Sequence, residues 1–496
     1  MEPCGLPGDA NLEHLRKIAK ELQRRSRAGD PRALEWVAVF HPRRPDPATL
    51  TRADAQLVVA RRYDFPSWPR LVRHLEMADR YRGAPHEAPP ATGPGDEAAA
   101  WEFLRLACLT YGGDDPARRE QASALLEAHP ALAAGSIHVA AAIGDVAATT
   151  VLLAGDPAAA RAPGGPHGWE PLLYLTYSRV QGDPPGHDAV AVARLLLAEG
   201  ADPNAGYLWE GLVPPFTALT GAIGGGEDDP NQPPHRDMAP LLTVLLEAGA
   251  DPNDGQALYN RSFTPDDTWL ESLFDHGLGA GDGGPWAARL EGRQATPPDM
   301  LEDLLLAAAS LGFAHRVELL LGHGVDPDGD GTRHPVYRDH TALGHAVRYG
   351  SSRDAELLRA AGATEPDLEP AEALLAAAMR GDGDAVRQAL AAEPGLAAQA
   401  VAHDPERIAT AAELGRVDAI RLLVEIGLDV YAGGRTALHE AAYHGNREMV
   451  DALLALGADP NRRDRGYDAT PSGWADHAGH GELAAFLASR ETPPER

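Results

Sequence analysis

In the stretch TALHEAAYHG, residues 436–445, two histidines flank a glutamate on a segment of helical periodicity, which are the residue types of a zinc site. A zinc-binding helix spaces its histidines four apart, as H-E-x-x-H, so that both rings reach one metal from one face. His439 and His444 are five apart, which turns them about 140° from each other around the axis; they cannot share a metal. DPDGDG, residues 326–331, opens like a calcium loop, but Tyr337 stands at the twelfth position, where a bidentate Glu is required. His340, His345, His477 and His480 read as surface or loop-bonding residues. Cys4 and Cys108 are too few for a disulfide framework or a four-thiolate zinc site. Glu170, Glu210, Glu227, Asp228 and His235 offer acid–base pairs, since a carboxylate beside a tryptophan titrates above its usual range. No nucleophile elbow, Walker loop or dinucleotide glycine pattern accompanies them, and the glycines 224–226 precede acids that repel phosphate. The expectation is no metal and no cofactor.

The elements that carry these residues are repetitive. The full stretch is GRTALHEAAYHGNREMVDALLALGADPN, residues 434–461. Thr436 has the hydroxyl to cap a first helix. Met449, Val450, Leu453 and Leu454 form one apolar stripe on a second. Gly457 suits the left-handed residue that ends it, and Asp459-Pro460 sets the next turn. This unit resembles the ankyrin repeat, about 33 residues built on T-P-L-H-x-A, a second helix and a Gly-Ala-Asp turn. The resemblance implies that His439 bonds neighbouring loop backbone and is structural. Second helices with their Gly terminators recur at 191–204, 240–253, 269–279, 316–328, 354–364 and 419–430, weaker pairs at 136–157 and 372–394, and a polar C-terminal cap at 468–489. With an N-terminal cap from AAAWEFLRLACL and ASALLEAHP, these give an all-α, ankyrin-type α-solenoid of about eleven helix pairs over residues 96–490. Ahead of it, residues 10–82 read as a small N-terminal helical unit, joined by a Pro/Gly-rich linker at 83–95. The arrangement is similar to that of bacterial ankyrin-repeat proteins.

Composition narrows the partners. Residues 1–82 hold 16 Lys and Arg against 11 Asp and Glu, the remainder 28 against 62, for a net charge of -29. A body so acidic repels phosphate backbones and excludes nucleic acid as a partner. No apolar run approaches the length of about 20 residues that spans a bilayer, and residues 1–15 contain no hydrophobic signal core. The expected location is cytoplasmic, without membrane contact.

Departures from the repeat concentrate between residues 166 and 298. Glu170 and Leu173 fall at the motif's Thr and His positions, and so do Gln256 and Tyr259. Inserts occupy 178–189, 205–216 and 224–237. Of 28 aromatic residues, 11 lie between 169 and 286, and residues 166–260 carry 13 acids against three basic groups. Lengthened loops on a rigid scaffold carry function, and rings beside carboxylates suit a cationic ligand or an arginine-bearing peptide. The expected function is therefore a binding module holding a protein or peptide, basic in character, on its concave face and inserts around residues 166–260. The residues expected to bind are Trp169, Glu170, Tyr174, Tyr177, Trp209, Glu210, Glu227, Asp228, His235, Gln256, Tyr259 and Asn260. The alternative is an enzyme acting on a small molecule in the same region, with Glu170, Glu227 and His235 as its acid–base groups.

Overall fold

A computed structural model describes residues 4–7, 10–93, 95–180, 186–337 and 340–492. Among these there are 29 α-helices and three very short strands, and the fold is all-α, built from stacked helix pairs. It divides into two compact units, one of residues 1–224, 234–257 and 272–295, the other of residues 225–233, 258–271 and 296–496.

The first unit begins with four helices, Leu12–Arg27, Pro31–Phe40, Arg52–Arg62 and Trp68–Tyr81. Each starts where a side chain accepts an otherwise unpaired backbone N–H: Asn11, Asp30, Thr51 and Ser67. Their apolar faces close over Leu15, Val37, Phe40, Leu50, Val58 and Leu71, a core of their own. The long run 54–78 is two helices, because Asp64 turns left-handed (φ 59°) and Pro66 follows.

Paired helices follow: Ile137–Ile143 with Val146–Gly155, Pro171–Tyr177 with Ala189–Ala198, and Ala218–Ile223 with Met238–Glu247. First helices pack on first helices and second on second, so each pair buries its neighbour's apolar face. Spacing is tight at Gly221, where a Cβ would stand 2.3 Å from the Tyr177 ring.

Two stretches read as linker and loop instead make the unit's strands. Strand β1 (Arg82–Gly83) pairs in parallel with β2 (Gly206–Trp209), which pairs antiparallel with β3 (Phe216–Thr217). The Pro/Gly-rich segment is thereby held down: the Glu210 N–H donates to the Gly83 carbonyl (2.8 Å), Pro85 is buried, and Trp101 Nε1 donates to the Pro89 carbonyl (3.2 Å). In the insert 178–189, residues 181–185 lie outside the described residues.

The second unit stacks Pro297–Leu311 with Ala314–Gly322, Ala342–Arg348 with Ser352–Ala360, Pro370–Met379 with Gly383–Ala392, Arg407–Glu413 with Val417–Ile426, Ala437–Tyr443 with Arg447–Ala455, and Pro471–His477 with Gly481–Ala488. An additional helix, Leu396–His403, interrupts the pairing; the sequence pattern did not show it. Leu375, Ile420, Leu423, Leu438, Met449 and Leu453 belong to one continuous core.

Candidate binding surface

The histidine of the opening motif is an internal fastener. His439 is fully buried, and its Nδ1 accepts from the Thr436 N–H (3.2 Å) and hydroxyl (2.8 Å). Its Nε2 must then be the protonated nitrogen, and it faces the carbonyls of Arg462 (3.1 Å) and Ala469 (3.2 Å). Burial lowers its pKa, which keeps the ring neutral. The acids of 326–331 are likewise taken up by the protein: Asp328 accepts from the Thr364 N–H (2.9 Å) and hydroxyl (2.7 Å), and Asp330 pairs with Arg333 (2.6 Å).

The structure separates the residues expected to bind into three places. Trp169, Tyr174, Tyr177 and Tyr207 form the interior of the first unit, with Trp169 4% exposed and Tyr174 and Tyr177 fully buried. The Trp169 ring stacks on Tyr207 (5.1 Å between centroids) and meets Tyr177 at 4.9 Å. The hydroxyls of Tyr174 and Tyr177 donate to the carbonyls of Gly164 (2.8 Å) and Thr217 (3.0 Å). These rings pack the repeat and have no face left for a partner. Around them, Glu170 stands at the N-cap of Pro171–Tyr177 without capping it, one carboxylate oxygen buried and unbonded, its pKa raised by burial and by Asp202. His235 is buried and kept neutral, its Nδ1 accepting from the Asp237 N–H (3.0 Å). Gln256 is not at the motif's Thr position: the helix Gly255–Arg261 is capped by Asp254, which accepts from the Ala257 N–H (3.0 Å) and the Thr220 hydroxyl (3.0 Å). The register there is two residues earlier than the sequence pattern suggested, because Asp took the capping role of Thr.

Trp209 and Glu210 occupy a second place in the same unit. The Trp209 indole donates to the Thr110 carbonyl (3.1 Å) and stacks on His86 (4.8 Å). Glu210 is left-handed (φ 50°) and sets Oε1 3.1 Å from His86 Nε2. Ligand atoms of His86, Glu87 and Glu210 all lie within 4.8 Å of one another, and among the described residues this is the set that could hold a metal ion. His86 and Glu87 escaped sequence reasoning because they belong to the segment read as linker.

Glu227, Asp228, Tyr259 and the buried Asn260 belong to the second unit. Tyr259 is 39% exposed and Phe263 37%, and the two rings meet edge to face at 5.3 Å. The Tyr259 hydroxyl donates to Glu227 Oε1 (2.6 Å), and the Tyr443 hydroxyl to the Glu227 carbonyl (3.3 Å). Asp228 accepts from Asn231 Nδ2 (3.1 Å) and faces His477 Nε2 at 3.1 Å, while Asp229 is 3.6 Å from Arg261. Burial raises the Asp229 carboxyl, and burial with the neighbouring Asp228 charge pushes the Tyr443 phenol up to about 12. Glu227 thus stands against an exposed ring pair, with Asp228 and Asp229 following it in the chain, an arrangement suited to a guanidinium or ammonium group. Of the three groups considered for catalysis, Glu170 and His235 stand on separate elements of the first unit, and Glu227 belongs to the second.

Helix pairs that end in glycine and turn through Asp-Pro, with the buried His439 fastening the turn beyond its own pair, are the features of an ankyrin repeat. Residues 371–464 match the family model for ankyrin repeats in three copies, so the chain contains ankyrin repeats. It is 38% identical over 84 residues to the potassium channel AKT1 of Arabidopsis thaliana, covering 16% of this chain and 10% of that protein. It is 39% identical over 85 residues to the calmodulin-binding transcription activator CBT of Oryza sativa subsp. japonica, covering 16% and 9%. The chain spans about a tenth of the length of these relatives.

Proposed function

We propose that the chain is a binding module that holds a basic protein or peptide segment on the surface formed by Glu227, Asp228, Tyr259 and Phe263. Ankyrin repeats are in general protein-interaction modules, and the observation that supports this surface is the exposed ring pair flanked by carboxylates. An arginine side chain laid over Tyr259 would meet Glu227 at its guanidinium end. A reducing, aqueous compartment such as the cytoplasm suits two cysteines that are both free, one of them exposed, and no helix among the described residues is long and apolar enough to cross a membrane. Partners recovered by photo-cross-linking from position 263 would be compared between the native chain and Tyr259→Ala with Glu227→Gln. The expected result is at least about a tenfold loss of affinity in the double variant, with no loss in Glu448→Gln, an exposed acid elsewhere in the unit. Partners whose affinity is the same in all three proteins would place the binding surface elsewhere.

A further inference from the structure

The first unit contains a cavity of about 310 Å³ between the helix Trp68–Tyr81 and the segment 289–293. Its floor is apolar, from Phe65, Met77 and Leu290, and its walls carry Arg70, Arg73, Arg80, Arg289 and Arg293. The only carboxylates lining it are Glu76 and Glu291. In a chain of net charge -29 this is a local inversion of sign, and a cavity walled by one charge concentrates ligands of the other.

The arginines are arranged around a point already filled by an acid. Glu291 adopts left-handed backbone geometry (φ 52°), uncommon for a residue with a side chain. That geometry delivers its carboxylate to two guanidiniums at once: Arg73 Nε at 2.7 Å from Oε1, and Arg70 Nη1 at 2.9 Å from Oε2. Non-glycine residues held this way gather at ligand clamps. Beside them Arg293 lies over the Phe65 ring (4.2 Å) and donates to the Asp64 carbonyl (2.8 Å), so its position is set by groups behind the cavity wall. Arg289 is set the same way by Asp202 (2.8 Å). The Nδ1 of His74, another wall residue, is buried and has no hydrogen-bond partner. A single carboxylate leaves donors of Arg70 and Arg73 unused, whereas a phosphate presents three oxygens and more charge to the same forks.

We infer that this cavity is a site for a small phosphate monoester with an apolar or aromatic body, and that the Glu291 carboxylate occupies the phosphate position when no ligand is bound. The body would lie on Phe65, Met77 and Leu290, and the phosphate would displace Glu291 from Arg70 and Arg73.

Calorimetric titration of the full chain with phenyl phosphate, inorganic phosphate and phenol tests it. Phenyl phosphate is expected to bind the native chain more tightly than inorganic phosphate, and phenol not at all. Arg73→Gln should weaken phenyl phosphate at least about tenfold. Glu291→Gln, which removes the competing charge, should strengthen it at least about threefold. Because the two variants move in opposite directions, a loss of fold in Arg73→Gln cannot imitate the result. Absence of binding, or Glu291→Gln binding no tighter than the native chain, overturns the assignment. Co-sedimentation with phosphatidate vesicles that phenyl phosphate fails to compete away would also overturn it, since the occupant would then be a lipid surface.

Discussion

Glu440, the neighbour of His439 in the opening motif, has one carboxylate oxygen 2.5 Å from Arg435 Nε and the other buried without a partner. Burial outweighs the guanidinium and pushes its carboxyl up to about 7, with the Glu413 charge adding to the shift. The unfolded chain protonates such a group near about 4.3. As pH falls from 7, the folded state therefore takes up a proton that the unfolded state does not, and stability gained through this residue rises until the unfolded carboxyl also titrates. Denaturant unfolding of the native chain and Glu440→Gln at several pH values between 5 and 7.5 should show it. The native chain is expected to gain up to about 1 kcal/mol per pH unit relative to the variant as pH falls; parallel pH profiles would mean that Glu440 stays ionised in the fold. The motif pair thus consists of a neutral fastener and a carboxyl poised near neutrality, neither of which requires a metal.

At the level of elements, Gly350 shows how closely the first helices approach. It closes Ala342–Arg348 with φ 76°, and a Cβ there would stand 2.4 Å from the Met379 carbonyl oxygen, at the end of the next first helix. Gly350→Ala combines a left-handed penalty with a clash against backbone, and should lower stability by about 2 kcal/mol or more in urea unfolding. A loss within about 0.5 kcal/mol would mean that the repeats can slide apart at no cost. This packing was legible in the sequence wherever its signals are local. Glycine terminators, apolar stripes and Asp-Pro turns located the second helices, and the carbonyl partners of His439 follow from its motif position. What distant packing decides was not legible. Trp169, Tyr174 and Tyr177 have the composition of a gripping surface and the placement of a core, because ring type does not state which face a neighbouring repeat covers. Leu208 and Trp209 pair in a strand because Arg82–Gly83, more than a hundred residues earlier, runs alongside them. The arginine-walled cavity escaped for the same reason: Arg73 and Glu291 meet across 218 positions of chain.

Across the whole chain, charge is segregated by sequence and recombined in the fold. Residues 1–82 carry an excess of basic groups and the rest a large excess of acids. Within the first unit the two meet where Arg70 and Arg73 hold Glu291; Arg293 pairs in the opposite sense with Asp64, and Arg82 Nη1 donates to the backbone carbonyl of Glu210 (2.7 Å). Exposed ion pairs of this kind are individually weak and salt-sensitive, so the backbone pairing of β1 with β2 matters beside them. Its consequence concerns severed chains. A recognition site for a specific protease engineered at residues 88–90 would cut the covalent tie between the leading four helices and everything after them, yet leave β1 and every arginine contact intact. The two pieces should travel as one particle in gel filtration at low salt and part only when denatured; separation of a free leading fragment under native conditions would show that the peptide bond alone had kept them together.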